Sequence, residues 1–313
     1  MCPPKILGII ILSVLFHWQT FADEIYQTAQ KDTFLNKIFT TKDGLPQNTP
    51  TSIIQTKDGY LWIATFGGLA RFDGVKFTIF TTSNTPELIN NRITALYEDR
   101  NNIIWIGTED GDIMNYQNGV FSLIKKSVGT PVDNTIVSFY LDQNNTLWIG
   151  TVNELRTYNT ETKQFSSFSP ETILKRPLKT KDNFHVNKFV MDAEGNLWMT
   201  SNGGLIRFRD GKFTNFRTDD GLPDDNINEI AVNPNGGVWI STNKIVGLYQ
   251  NGVFTQIAKI DYEGDFALFS AFAVNNEHHL FFASRKLLYE VSDNNVLAKY
   301  DLTDVATDGI RPL

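Results

Sequence analysis

Five tryptophans recur on a nearly fixed ruler. Trp62, Trp105, Trp148, Trp198 and Trp239 are separated by 43, 43, 50 and 41 residues. Each stands in the same phrase: L-W-I-A-T (61–65), I-W-I-G-T (104–108), L-W-I-G-T (147–151), L-W-M-T-S (197–201) and V-W-I-S-T (238–242). A sixth copy, L-F-F-A-S (280–284), puts Phe281 at the tryptophan position, 42 residues after Trp239. A period of this length with strand-like units predicts an all-β propeller of four-stranded antiparallel blades. A buried indole hides roughly 150–250 Å², so the series reads as blade-to-blade packing.

Each unit reads as four strands. Strand A is the alternating segment before a polar turn: Thr51–Gln55, Ile93–Tyr97, Ile136–Tyr140, Val186–Val190, Ile227–Val232 and Leu268–Val274. Turns such as Lys57-Asp58-Gly59 and Glu194-Gly195-Asn196 follow it. Strand B holds the tryptophan, and its near-continuous apolar run requires both faces to be covered. Strands C and D are joined by hairpin signals such as Asp73-Gly74, Asn118-Gly119, Asp210-Gly211 and Asn251-Gly252. The repeats fall near 47–84, 90–126, 133–169, 184–219, 224–258 and 266–303, within a propeller domain spanning 35–313.

The ends carry further expectations. Ile38-Phe39-Thr40-Thr41-Lys42-Asp43-Gly44-Leu45-Pro46 matches Asn215-Phe216-Arg217-Thr218-Asp219-Asp220-Gly221-Leu222-Pro223, where a strand D runs into the next blade. A lone outer strand D followed by six units is therefore expected, as in an incomplete seven-bladed ring, and Asp308–Leu313 reads as the approach to a further blade. Before this lies a leader: Lys5, an apolar run Ile6–Trp18, and Gln19-Thr20-Phe21-Ala22. That pattern predicts a signal peptide over 1–22, with an uncleaved anchor as the alternative, then a linker over 23–34. Without the leader the chain holds 27 Lys and Arg against 35 Asp and Glu, a net charge of −8, and no cysteine. Disulfide and thiol chemistry are excluded there, the acidity argues against nucleic acid, and an exported chain without disulfides fits a periplasm.

Few residues offer chemistry. His185, His278 and His279 are the histidines beyond the leader, and none has company that makes a nucleophilic triad or a metal site. The runs Asp99-Asn101-Asn102, Asp142-Asn144-Asn145 and Asp192-Glu194-Asn196 invite a calcium reading, but they lack the glycine and twelfth-position glutamate of a calcium loop. Turn formation accounts for them. No cofactor and no metal are expected.

Propellers usually place ligands on the face made by the B–C and D–A connections. The B–C connections contribute Phe66, Glu109, Asp110, Asn153, Glu154, Asn202, Asn243, Lys244, Arg285 and Lys286. Among the D–A connections, Ser83–Asn91 is long, and Pro170–Lys181 is an insertion bearing Lys175, Arg176, Lys179 and Lys181 against Glu171. The insertion reads either as a solvated loop or as a site for an anion or a partner.

The segments G-L-P-Q-N-T (44–49), I-I-Q-T-K-D-G-Y-L-W-I-A-T (53–65) and G-G-L-A-R-F-D-G-V-K-F-T (67–78) resemble the two-component regulator propeller repeat, and the resemblance extends over roughly 35–303. That family builds the periplasmic sensor regions of hybrid histidine kinases and some diguanylate cyclases, commonly with two propellers, a β-sandwich, a transmembrane helix and a cytoplasmic output domain. The resemblance implies a non-enzymatic, periplasmic ligand-sensing module. Its partners would be a small ligand, with carbohydrate fragments suggested by analogy, and a second copy or downstream receptor domains. Contact with a membrane would come only through a downstream segment. The alternatives are a secreted propeller enzyme acting on glycans, for which Glu109, Asp110 and Glu154 are the acidic candidates, and a standalone scaffold or gene fragment.

Overall fold

A computed structural model describes residues 39–126, 134–178, 183–259, 272–275, 277–284, 287–292 and 295–301. The leader, the linker, Asp308–Leu313, Lys179, Lys181, Arg285 and Lys286 lie outside the described residues.

Among the described residues, twenty-four strands form six separate antiparallel sheets of four, each in sequential order. Blade 1 is β1 (Pro50–Gln55), β2 (Leu61–Thr65), β3 (Gly68–Phe72) and β4 (Phe77–Phe80). Blade 2 is β5 (Ile93–Glu98), β6 (Ile104–Thr108), β7 (Ile113–Gln117) and β8 (Val120–Lys125). Blade 3 is β9 (Ile136–Leu141), β10 (Thr146–Thr151), β11 (Leu155–Asn159) and β12 (Phe165–Phe168). A four-residue helix α1 (Pro170–Ile173) leads to blade 4: β13 (Val186–Met191), β14 (Leu197–Ser201), β15 (Gly204–Arg209) and β16 (Lys212–Phe216). Blade 5 is β17 (Glu229–Val232), β18 (Val238–Ser241), β19 (Ile245–Gln250) and β20 (Val253–Lys259). Blade 6 is β21 (Phe272–Val274), β22 (Leu280–Ser284), β23 (Leu287–Ser292) and β24 (Asn295–Asp301). The A strands β1, β5, β9, β13, β17 and β21 touch in that order, so the sheets make a propeller.

Strand A of blade 5 is shorter than the alternation predicts. The amides of Ile227 and Asn228 bond the carbonyls of Ser201 (3.0 Å) and Ser241 (2.8 Å), which leaves Glu229 as the first ladder residue. In blade 6 the observed strand begins at Phe272, residues 268–271 being outside the described set.

The indoles sit between blades. Trp62 stacks on Phe80 of its own blade (5.6 Å between centroids) and leans on Tyr116 of the next (4.8 Å). Trp105 meets Tyr158, Trp148 meets Phe208, and Trp198 meets Tyr249 in the same way. Trp62 and Trp239 are among the largest fully buried side chains, and Phe281 pairs with Ala273 across blade 6.

Polar side chains staple the A strands together. Thr51 Oγ1 donates to the Ile93 carbonyl (2.6 Å), and Thr94 Oγ1 donates to that of Ile136 (2.7 Å). Asn187 donates to the Ile227 carbonyl (3.1 Å). In blade 3 that position is Val137, and the neighbouring Ser138 donates to Val186 instead (3.2 Å). Each staple ties a strand A to the backbone of the next blade.

The matched segments 38–46 and 215–223 adopt one conformation over their described parts. Both make a 3₁₀ turn, Thr41–Asp43 and Thr218–Asp220, in which an aspartate caps the backbone N–H of Thr40 or Arg217 at 2.8 Å. Phe39 rests on Phe72 (4.9 Å), as Phe216 rests on Tyr249 (5.4 Å). Phe39 thus occupies the seat of a preceding blade's strand D, although it lies outside any strand itself.

Candidate functional site

The last residue of each tryptophan phrase shapes the B–C turns. Thr65 Oγ1 donates to the Gly68 carbonyl (2.9 Å) and accepts from the Gly67 amide (3.0 Å). Ser201 does the same for Gly204 (2.7 Å) and Gly203 (3.0 Å). Thr151 donates to the Glu154 carbonyl (2.8 Å), and Thr242 accepts from the Lys244 and Ile245 amides (both 3.2 Å). A buried hydroxyl next to the turn therefore locks the loops that present the candidate residues.

Phe66, Glu109 and Asp110 come together between blades 1 and 2, joined by a residue that the repeat did not single out. The Arg92 guanidinium lies over the Phe66 ring (4.2 Å) and grips Glu109 through Nε and Nη2. This two-point hydrogen bond holds the Glu109 carboxyl below the usual carboxylate range. Asp110 accepts from the Asn90 amide at 2.8 Å. Arg92 stands at the end of a D–A connection, where nothing in the sequence marks it as the partner of a B–C loop 17 residues on.

The other candidates are spread around the face. Glu154 pairs with Arg156, whose Nη2 also reaches Asn134 (2.6 Å). Asn202 accepts from the His185 amide (3.1 Å) and donates to the Asn183 carbonyl (2.8 Å). Asn243 accepts from Asn228 (2.7 Å). None of Glu109, Asp110 and Glu154 stands as half of an acid–base couple across open space. Each is tied to a cation or an amide of the scaffold.

Asn153, Lys175 and Arg176 do meet. They line a cavity of about 520 Å³ with Pro170, Leu174, Leu178 and Phe184. The insertion builds its wall and is docked firmly. Ile173 and Leu174 are buried, and Leu174 and Leu178 lie over Gly203, where a Cβ would come within 2.9 and 3.1 Å of them. The basic residues are answered by acids from the next D–A connection. Lys175 pairs with Asp220, and Arg176 with Asp219. Beneath them Arg217 is fully buried; its Nε and Nη2 bond Asp225 (3.1 and 2.8 Å) and its Nη1 bonds the carbonyls of Arg176 and Pro177 (3.2 and 3.1 Å).

The opposite face holds two further clefts, of about 460 Å³ between blades 1 and 2 and about 560 Å³ between blades 4 and 5. Arg71 and Arg207 occupy matching places in them, stacked on aromatic rings.

The aspartate turns are structural. Asp99 Oδ1 accepts from the amides of Asn101 and Ile103 (2.8 and 3.0 Å), and its Oδ2 accepts from the Trp105 indole (2.9 Å). Asp142 and Asp192 repeat this toward Trp148 and Trp198. Among the described residues no group of three or more His, Cys, Asp or Glu is placed to hold a metal ion. His279 meets Glu290 (2.6 Å), which also accepts from Tyr300 (2.6 Å).

Comparison with known proteins agrees with this architecture. The two-component regulator propeller family matches residues 44–67, 87–110 and 130–153. Histidine kinase P4 of Formosa agariphila is 46% identical over 59 residues, which cover 19% of this chain and 4% of the kinase. Among solved structures, the extracellular domain of the putative hybrid two-component system BT4673 from B. thetaiotaomicron superposes with a TM-score of 0.61 at 21% identity, covering 83% of this chain and 33% of that one. Virginiamycin B lyase from Staphylococcus aureus gives a TM-score of 0.63 at 15% identity, covering 81% and 84%. At these identities the two superpositions speak for the fold alone. The chain spans about a third of the BT4673 domain and only a small part of the kinase. The chain is a β-propeller, and at residues 44–67, 87–110 and 130–153 it carries repeats that match the two-component regulator propeller.

Proposed function

We propose that this propeller is the periplasmic, ligand-sensing input module of a bacterial signalling receptor of the two-component or cyclic-dinucleotide type, with no catalysis of its own. The observation that carries the reading is the cavity at Asn153 and the 170–178 insertion, a concave, partly apolar site on the loop face of a rigid scaffold. The engagement of Glu109 and Glu154 by arginines supports binding over hydrolysis, because a glycan hydrolase needs two carboxylates facing one substrate. The output would come from domains or a second copy contacting the ring. By analogy with the repeat family, carbohydrate fragments are the first ligands to try.

The test is a thermal-shift screen of the full chain against neutral and acidic oligosaccharide fragments, with the same mixtures analysed for cleavage products. A raised melting temperature without new products, lost in Asn153→Trp, is the expected result. Turnover of any fragment would replace this reading with the enzyme alternative. Fusing residues 1–22 to a reporter that is active only after export, in a Gram-negative host, checks the compartment.

A further inference from the structure

We propose that the cleft between blades 4 and 5 is a second binding site, which takes the carboxylate of a small organic acid on Arg207. It lies on the face opposite the B–C loops and shares no lining residue with the cavity at Asn153.

The ladder sets Arg207 directly across from Trp198. In the other blades the residue across from the repeat aromatic is Arg71, Asn115, Thr157, Leu248 or Glu290. Blade packing therefore does not call for a cation at this place.

Arg71 shows how the scaffold engages an arginine there. Its guanidinium lies over the Tyr60 ring (4.7 Å), with Trp62 (5.8 Å) and Phe80 (6.0 Å) also in reach. Its Nη1 donates to the Tyr116 hydroxyl (3.4 Å). Arg207 keeps only the two rings of its own blade, Trp198 (5.8 Å) and Phe216 (5.6 Å). Asn196 stands where Tyr60 stands, two residues before the tryptophan. Among the described residues Arg207 makes no hydrogen bond to Tyr249, the counterpart of Tyr116, and no ion pair. Its Nε is buried without a hydrogen-bond partner. A cation with its donors unused thus lines a cleft of about 560 Å³.

The two acids of the cleft do not answer it. Asp192 Oδ1 accepts from the Asn196 amide (2.8 Å), and its Oδ2 accepts from Asn196 Nδ2 and Trp198 Nε1 (both 2.7 Å). Glu194 is exposed on the A–B turn at the rim. A carboxylate suits the open guanidinium because its two oxygens match the two Nη groups of the fork. The rings behind Arg207 keep water from part of the cation, which strengthens such a pair. The volume suits a small molecule.

The experiment titrates the full chain with sodium glucuronate, sodium glutarate and glucose by calorimetry at pH 7 and low salt. At least one of the acids is expected to bind, roughly ten-fold or more tighter than glucose. Binding of glucuronate alone marks a sugar acid, and binding of glutarate as well or instead marks an acyclic one; each supports the site. Arg207→Leu, which copies blade 5, should weaken the acid by about ten-fold or more. Should that variant fail to fold, Arg207→Lys carries the test: it keeps the charge, loses the fork and should weaken binding several-fold. Glu194→Gln, which removes a like charge from the rim, should tighten it by roughly two-fold. Arg71→Leu and Asn153→Trp should leave it unchanged. Glucose binding as tightly as the acids, neither acid binding, or binding that survives both Arg207 variants overturns the proposal. So does binding lost in Asn153→Trp, which would move the acid to the other cavity. The reading of that cavity is tested separately by the fragment screen, so each can fail without the other.

Discussion

Asp142 accepts a hydrogen bond from the indole of Trp148, Oδ2 to Nε1 at 2.9 Å, while its Oδ1 accepts the amides of Asn144 and Thr146 at 2.8 and 3.0 Å. One buried carboxylate therefore closes the A–B turn and orients the ring that separates two blades. Asp142→Ala should destabilise the chain by about 1–3 kcal/mol in urea unfolding, since it strips a buried indole N–H of its acceptor. Asp142→Asn keeps an acceptor and should cost less. Because both oxygens are in use, adding calcium or a chelator should leave the melting temperature unchanged; a calcium-dependent rise would restore the ion-binding view of these turns.

Arg217 and Asp225 are both buried, so removing one partner leaves the other charge stranded. Arg217→Met should cost about 3–5 kcal/mol. Adding Asp225→Leu should recover much of the loss, because an apolar pair of similar volume avoids desolvating either charge. Equal unfolding midpoints for the single and double variants would contradict the coupling.

Glu229 introduces a pH dependence of known sign. Its carboxyl is buried on β17, 2.6 Å from Lys188 of β13, and burial pushes it above the ordinary value of 4.5 despite that lysine. A carboxyl raised in the folded state favours folding most when protonated. Its contribution is present below the unfolded value and is lost as the pH rises through the folded one. Glu229→Gln should therefore gain on the wild type between about pH 4 and pH 7. A stability difference that is flat over that range would show that the carboxyl is not raised.

Gly150 sits where two blades approach closely. A Cβ there would lie 2.4 Å from the Val186 carbonyl and 2.6 Å from Ser138 Oγ. Gly150→Ala should cost about 1–3 kcal/mol by overpacking, and differential scanning calorimetry would register it as a lower melting temperature. The same phrase carries Gly107 in blade 2, where a Cβ would lie 2.4 Å from Ile136, but Ala64 in blade 1 and Thr200 in blade 4, so the demand for glycine belongs to particular interfaces and not to the repeat.

What could be read from the chain alone follows from local chemistry. The tryptophan period, the alternating A strands and the Asn-Gly and Asp-Gly turns specify strands, hairpins and their order. A repeat forces the same solution on each unit, so the blades and the buried indoles were legible. The matching segments at 38–46 and 215–223 signalled a shared entry to a blade, and the turn they share forms because its capping aspartate and glycine are adjacent in sequence. The site was only partly legible. Which loops form the face follows from the repeat, but what each side chain meets does not. Arg92 finds Glu109 across an interface between blades, and Lys175 and Arg176 find acids more than 40 residues away. In the sequence the basic insertion reads either as a solvated loop or as a site for an anion or a partner. Only the tertiary structure brought Asp219, Asp220 and Asp225 beside it, because ion pairing depends on distance in space, to which a local sequence window is blind.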